Sequence, residues 1–177
     1  GVSYIPEERM VDGMIKEFTV AENLILRDHK NSPFSRSGFL NFRAISRQSD
    51  ELIEQFNVKT PSQDTPVKNL SGGNIQKLLL ARELSRNPKV VIAAQPTRGL
   101  DVGATEYVHQ VLTDQRGEGI AILLISEDLD EVLALSDRII VIYEGEIMGE
   151  VITEQANPEN LGLMMAGVRP KNGEPQE

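Results

Sequence analysis

Cysteine is absent from this 177-residue chain, which excludes disulfides and thiolate metal sites and fits a reducing compartment. No apolar run approaches the roughly 18 residues that span a bilayer, and the first residues hold no secretory apolar region. Positive charge is scarce. The 18 Lys and Arg against 27 Asp and Glu leave a net charge of −9. That balance argues against a dominant nucleic-acid or anionic-lipid surface, though it is compatible with local basic patches. The phosphate-cradling loop G-x-x-x-x-G-K-[ST] is missing too, and no Gly-Lys pair occurs anywhere. The chain opens on Gly1, and Val2-Ser3-Tyr4-Ile5 already has strand character. The expectation is a sequence that begins inside a longer protein.

What is present is globular. Hydrophobic residues make up 40% and charged residues 25%, enough to bury a core. Pro6 closes the first strand. Phe18 to Arg27 is predicted helical, with Thr19 as cap, Glu22 three residues on, and Ala21, Leu24 and Ile25 as its apolar stripe. Asn31 to Gly38 is predicted as loop. Ile45 to Phe56 is a second helix, with Ile45, Leu52, Ile53 and Phe56 on one face. Asn74 to Arg86 is a strongly apolar helix. Val90 to Ala94 and Ile120 to Ile125 are continuous apolar runs, predicted as strands buried on both faces. Helices are expected over Val102 to Gln115 and Asp128 to Leu135. Two strands, Arg138 to Tyr143 and Glu146 to Ile152, flank a tight turn at Glu144-Gly145. Strands alternating with helices imply a parallel α/β core. The tail after Arg169 is expected to fray.

Leu70-Ser71-Gly72-Gly73-Asn74-Ile75-Gln76-Lys77 opens the apolar helix. By itself this string reads first as a serine cap with a Gly-rich turn, a common arrangement. Its physics is also that of an anion site. The glycines let backbone approach a phosphate closely, and the first N–H groups of the helix point outward. The helix dipole adds about 0.3–1 kcal/mol for a negative group there.

Three further strings follow in order. They are Gln95-Pro96-Thr97-Arg98-Gly99-Leu100-Asp101-Val102-Gly103-Ala104, then Leu124-Ile125-Ser126-Glu127-Asp128-Leu129-Asp130-Glu131-Val132, then Ser136-Asp137-Arg138-Ile139 with Tyr143-Glu144-Gly145. Together the set resembles the ABC ATPases, from Val2 to Val168. LSGGN-x-QK resembles their signature motif, the second string the end of the Walker B strand with the D-loop, the third the switch region. Ile5-Pro6-Glu7-Glu8-Arg9 with Asp12-Gly13 resembles the Q-loop segment of the second cassette in tandem importers of simple sugars and nucleosides. AAQPTRGLDVGA is similar to the purine-nucleoside and basic-membrane-protein group.

The resemblance implies a P-loop NTPase-like α/β cassette, truncated at its N-terminal end, with a helical signature subdomain and a parallel-sheet core. Residues 1–86 would hold the Q-loop-like segment, helical subdomain and signature helix. Residues 87–155 would form the core with its C-terminal hairpin, and 156–177 a final helix and tail. The family places its phosphate loop upstream of the Q-loop. Signature residues Ser71, Gly72, Gly73, Asn74 and Gln76 would bind ATP held on a partner cassette, with Asp101 bracing the seam. ATP and Mg2+ would be shared with that partner. The catalytic positions are degenerate. Ala94 stands for the magnesium-linked aspartate, Gln95 for the catalytic glutamate, Glu7 for the Q-loop glutamine and Glu127 for the switch histidine. Alanine cannot hold a metal's water shell, and glutamine cannot take a proton. No metal ligand is assigned within the chain itself.

The implied role is transport-coupled ATP hydrolysis in an importer, at the cytoplasmic face of the membrane. Its partners would be a second cassette upstream in the same polypeptide, transmembrane permease subunits and, indirectly, a solute-binding protein, without nucleic acid. Two alternatives stay open: a non-catalytic interaction module, and a soluble ABC ATPase outside transport. The segment from Phe18 to Phe56 corresponds to the subdomain that meets the membrane partner. His29 and His109 are isolated and expected on helix faces or the surface. Arg98 and Arg138 are expected to pair with carboxylates, and the acids Glu127, Asp128, Asp130 and Glu131 to mark a helix start.

Overall fold

The computed structural model describes residues 1–169; the tail expected to fray lies outside the described residues. Packing divides the chain into two compact units, Gly1–Ile125 and the residues from Ser126 on. The boundary differs from the one between 86 and 87 drawn from the sequence. The reason is pairing: the first strand, β1 (Val2–Ile5), lies parallel to β4 (Val90–Ala94), so the two ends of that stretch share one sheet.

In the first unit β4 is central, with β1 on one side and β5 (Ala121–Ile125) on the other, both parallel to it. A helix over Gly72–Leu84 (α3, numbered in chain order) packs against β1. Another, α4 (Val102–Gly117), packs against β5. In a parallel register, paired residues share a face. Ser3, Ile5, Val91 and Ala93 are therefore buried together. The other face carries Val2, Tyr4, Leu123 and Ile125, each about half exposed. This corrects the expectation that the two later strands are buried on both sides: within the unit the helices lie on one face only. Ser3 Oγ donates to the Glu83 carbonyl at 2.7 Å, pinning β1 to the end of α3.

Two further α-helices and a small hairpin belong to this unit. Thr19 caps α1 (Val20–Leu24), and its capping box with Glu22 closes as predicted. The helix is shorter than the sequence suggested, because the residues after Leu24 continue as separate turns. Asn41 caps α2 (Phe42–Gln55), accepting from the Ala44 N–H. Between them the expected loop contains a small hairpin, β2 (Ser35–Arg36) against β3 (Phe39–Leu40). Its two turn residues, Ser37 (φ 54°) and Gly38 (φ 85°), are both left-handed, the geometry a two-residue hairpin needs. The helix α3 touches α1, α2 and the sheet, and Leu78, Leu79, Leu80 and Ala81 are all fully buried. A helix buried all round is the hub of its unit. Each of those leucines contributes about 1.5–3 kcal/mol of burial.

The second unit holds α5 (Leu129–Leu135), an antiparallel hairpin of β6 (Arg138–Tyr143) and β7 (Glu146–Ile152), and α6 (Pro158–Met165). Its core is Ile139, Val141, Leu161 and Met164. The turn at Glu144-Gly145 is the left-handed pair expected there.

Candidate functional site

The signature turn is built by the start of α3. Ser71 has extended backbone (φ −70°, ψ 157°) and occupies the cap position, yet its hydroxyl does not cap the helix. Asn74 Nδ2 donates to Ser71 Oγ at 2.9 Å, and the Lys59 N–H donates to Asn74 Oδ1 at 2.8 Å. Asn74 is thus a clamp: it is held by Lys59 and holds Ser71 by a lone pair, leaving the hydroxyl proton free to point outward. The first N–H groups of α3 have no intrahelical acceptor. Gly72 faces open space, where an added Cβ would meet nothing within 4 Å. Gly73 is different. A Cβ there would sit 3.1 Å from Ala104 Cβ and 3.9 Å from Asp101 Oδ2, so glycine lets the start of α4 back directly onto the turn.

Asp101 caps α4, its Oδ1 accepting from the Ala104 N–H at 2.9 Å. Sequence reasoning missed two residues that hold α3 and α4 in place. Lys77 Nζ lies 4.4 Å from the centre of the Tyr107 ring and donates to the Asn57 carbonyl at 3.1 Å. Tyr107 donates its hydroxyl to the Phe56 carbonyl at 2.8 Å. Burial lowers the Lys77 pKa, with Lys59 adding to that and Asp101 opposing it; burial raises that of Tyr107. A lysine three residues beyond a Gly-rich turn was a visible signal; its aromatic partner, on another helix, was not.

Ser71, Gly72, Gly73, Asn74 and Asp101 are therefore gathered on one surface of the first unit. Gln76 is not among them. It is fully buried, and among the described residues neither its side-chain amide nitrogen nor its side-chain carbonyl oxygen has a hydrogen-bond partner.

The C-terminal ends of β1 and β4 form a second cluster. Gln95 follows β4 in the left-handed region (φ 47°), a conformation a non-glycine residue adopts at some cost and one that gathers at functional sites. Its N–H donates to the Ile125 carbonyl at 2.7 Å, and its carbonyl accepts from the Arg98 N–H at 3.2 Å. Glu7, beyond β1, is ion-paired with Arg98. Arg9 donates to the Arg98 carbonyl, and burial lowers its pKa, with Glu8 opposing. The pairing expected of Arg98 is present, and it engages the Glu7 carboxylate. Ala94 offers no side-chain oxygen and Gln95 only a neutral side-chain amide, so these side chains do not suit Mg2+.

Glu127 lies in the second unit, exposed, just ahead of α5. Its neighbour Asp128 caps that helix, accepting from the N–H groups of Asp130 and Glu131, so the acidic run does begin a helix. Arg138 pairs with Glu150 at 3.2 Å. His29 is exposed, and its Nδ1 lies 2.8 Å from the Leu26 carbonyl.

Comparison with known proteins agrees with these motifs. The family model described as ABC transporter matches residues 1–98. The nucleoside import ATP-binding protein NupA of Lactococcus lactis is 47% identical over 166 residues, covering 94% of this chain and 33% of that protein. The guanosine import ATP-binding protein NupO of Bacillus subtilis is 44% identical over 167 residues, with the same 94% and 33% coverage. The ribose import ATP-binding protein RbsA of Oceanobacillus iheyensis is 42% identical over 167 residues, again covering 94% and 33%. The chain thus spans about a third of the length of these curated relatives. Among solved structures, the ADP- and phosphate-bound dimer of the cassette MJ0796 superposes with a TM-score of 0.67 at 22% identity, covering 86% of this chain and 62% of that one. The fold is that of an ABC cassette, and the chain belongs to the ABC transporter family.

Proposed function

We propose that this chain is part of the ATP-binding subunit of an importer, and that its chemical task is to present the signature turn to ATP held by a partner cassette. One observation carries the reading: the Ser71–Asn74 turn is open and clamped for donation, while Ala94 and Gln95 supply no carboxylate at the strand ends. Ser71 would donate its hydroxyl to a phosphate oxygen, the N–H groups of Gly72, Gly73 and Asn74 would line that oxygen's approach, and Asp101 would hold α4 behind them. Mg2+ would be held by the partner cassette. Hydrolysis of ATP there would be coupled to solute entry through transmembrane permease subunits, on the cytoplasmic face, with a solute-binding protein delivering cargo. The relatives' names support a nucleoside or a simple sugar as that cargo. The loss of carboxylates at Ala94 and Gln95 also favours a second reading, in which this cassette is a purely structural partner.

The test is Ser71→Arg in the complete protein, assayed for transport-coupled ATP turnover. Loss of turnover with unchanged thermal stability supports the signature role. Unchanged turnover leaves the structural reading.

A further inference from the structure

We infer that Lys77 and Tyr107 are positioning residues for the Ser71 hydroxyl, acting through the backbone of residues 56–59. The inference rests on the proposed role of the signature turn and names what sets that turn's orientation. Ser71 makes no capping bond to α3, and its side chain is held by Asn74. Asn74 is in turn held by the Lys59 N–H. The direction of the hydroxyl therefore depends on where residue 59 lies.

Residue 59 lies just past the end of α2. Phe56 ends that helix, and Asn57 turns the chain in the left-handed region (φ 49°). Phe56 and Val58 are buried, whereas Asn57 and Lys59 are exposed. The inward pair fixes the depth of the segment. Its lateral placement falls to polar contacts, and three side chains supply them. Tyr107 donates to the Phe56 carbonyl at 2.8 Å, Lys77 donates to the Asn57 carbonyl at 3.1 Å, and Asn74 accepts from the Lys59 N–H at 2.8 Å. Asn74 and Lys77 stand three apart on α3 and so share one face. Tyr107 stands on α4, which is registered against α3 at two points. One is the close approach of Gly73 to Ala104, and the other is Lys77 Nζ over the Tyr107 ring at 4.4 Å. The two points are about one turn apart on each helix. Both Lys77 and Tyr107 are half-buried, and partial desolvation strengthens the attraction of a cation to a ring. A contact that served helix packing alone would join α3 to α4 and stop there. This one continues from both helices to the segment that anchors Asn74, so the brace delivers its effect at Ser71.

The test is steady-state ATP hydrolysis by the complete protein, read as KM against kcat. A turn aimed correctly only part of the time binds ATP less well in proportion, whereas a change in the folded fraction moves kcat alone. Lys77→Met and Tyr107→Leu should each raise the KM for ATP about fivefold, with kcat within about twofold of the parent. Tyr107→Phe keeps the ring under Lys77 and disturbs folding least; losing the bond to Phe56 should raise KM about twofold. On a Ser71→Ala background, Lys77→Met should change KM by less than about twofold, because the hydroxyl it aims is gone. If Lys77→Met and Tyr107→Leu leave KM unchanged while Ser71→Arg abolishes turnover, the signature turn works without the brace and the inference fails. The same KM rise with and without the Ser71 hydroxyl also overturns it, as does a loss confined to kcat. Unchanged turnover in Ser71→Arg removes the proposed function and the brace with it.

Discussion

The signature turn and the strand ends lie in the same unit, yet their side chains have opposite characters. At the turn, every polar contact points to donation: Asn74 holds Ser71, Lys59 holds Asn74, and Gly72 leaves the approach clear. At the strand ends, Ala94 has no polar group, Gln95 is neutral, and the Glu7 carboxylate is occupied by Arg98. One region offers a hydroxyl and free N–H groups of the kind that suit a phosphate; the other lacks carboxylates of the kind that activate water. A shared site whose halves come from different cassettes allows this, because binding and chemistry need not decay together.

The largest expected effect reaches both regions at once and so serves as their common control. Glu83 is buried to 1% exposure, paired with Arg82 at 3.0 Å and with Arg27, while its carbonyl anchors Ser3. Burial lowers the Arg82 pKa, and Glu83 counters that. Glu83→Ala leaves Arg82 buried without its partner and should cost about 3–5 kcal/mol, read by denaturant unfolding. A loss under about 1 kcal/mol would show the pair to be replaceable by water. Next comes Ser71→Arg, which fills the open approach with an extra cation and removes the donor. ATP turnover should fall about a hundredfold or more, as for other single-donor losses, with the unfolding midpoint unchanged. If both variants lowered turnover only in proportion to folded protein, the two regions would not differ in function.

Much of this was legible in local strings. The capping box at Thr19 and Glu22 and the turn at Glu144-Gly145 depend on near neighbours, and each formed as expected; α3 begins at Gly72, two residues before the expected Asn74. What escaped was set by distant contacts. Arg98 was expected to pair with a carboxylate, but that its partner is Glu7, beyond another strand, was not visible, and the Lys77–Tyr107 contact joins two helices. The burial of β5 was misjudged because an apolar run shows that a strand prefers a core, not how many of its faces meet one. Gln76 shows the same limit: a motif string assigned it to the binding surface, whereas helical position turned it inward.

Gln76 offers a sharper test of where the signature surface ends. Its amide is buried with no partner, so Gln76→Leu removes a desolvated polar group at similar volume. Stability should rise by about 1 kcal/mol, with turnover retained. A fall in turnover at equal or greater stability would return Gln76 to the functional surface, acting from another rotamer.

The smallest expected effect is the most direct attack on the contrast between the regions. Ala94→Asp with Gln95→Glu restores both carboxylates at the end of β4. Two carboxylates do not by themselves make a magnesium site, which needs near-octahedral oxygen ligation completed by substrate phosphates. The backbone at position 95 would still be held in its left-handed turn by Ile125 and Arg98, and Arg98 would still cover Glu7. Turnover of the complete protein should therefore change by less than about threefold, roughly 0.6 kcal/mol in the barrier. A tenfold rise would mean that the two missing carboxylates alone had silenced this half, and that the signature turn is not where its contribution lies.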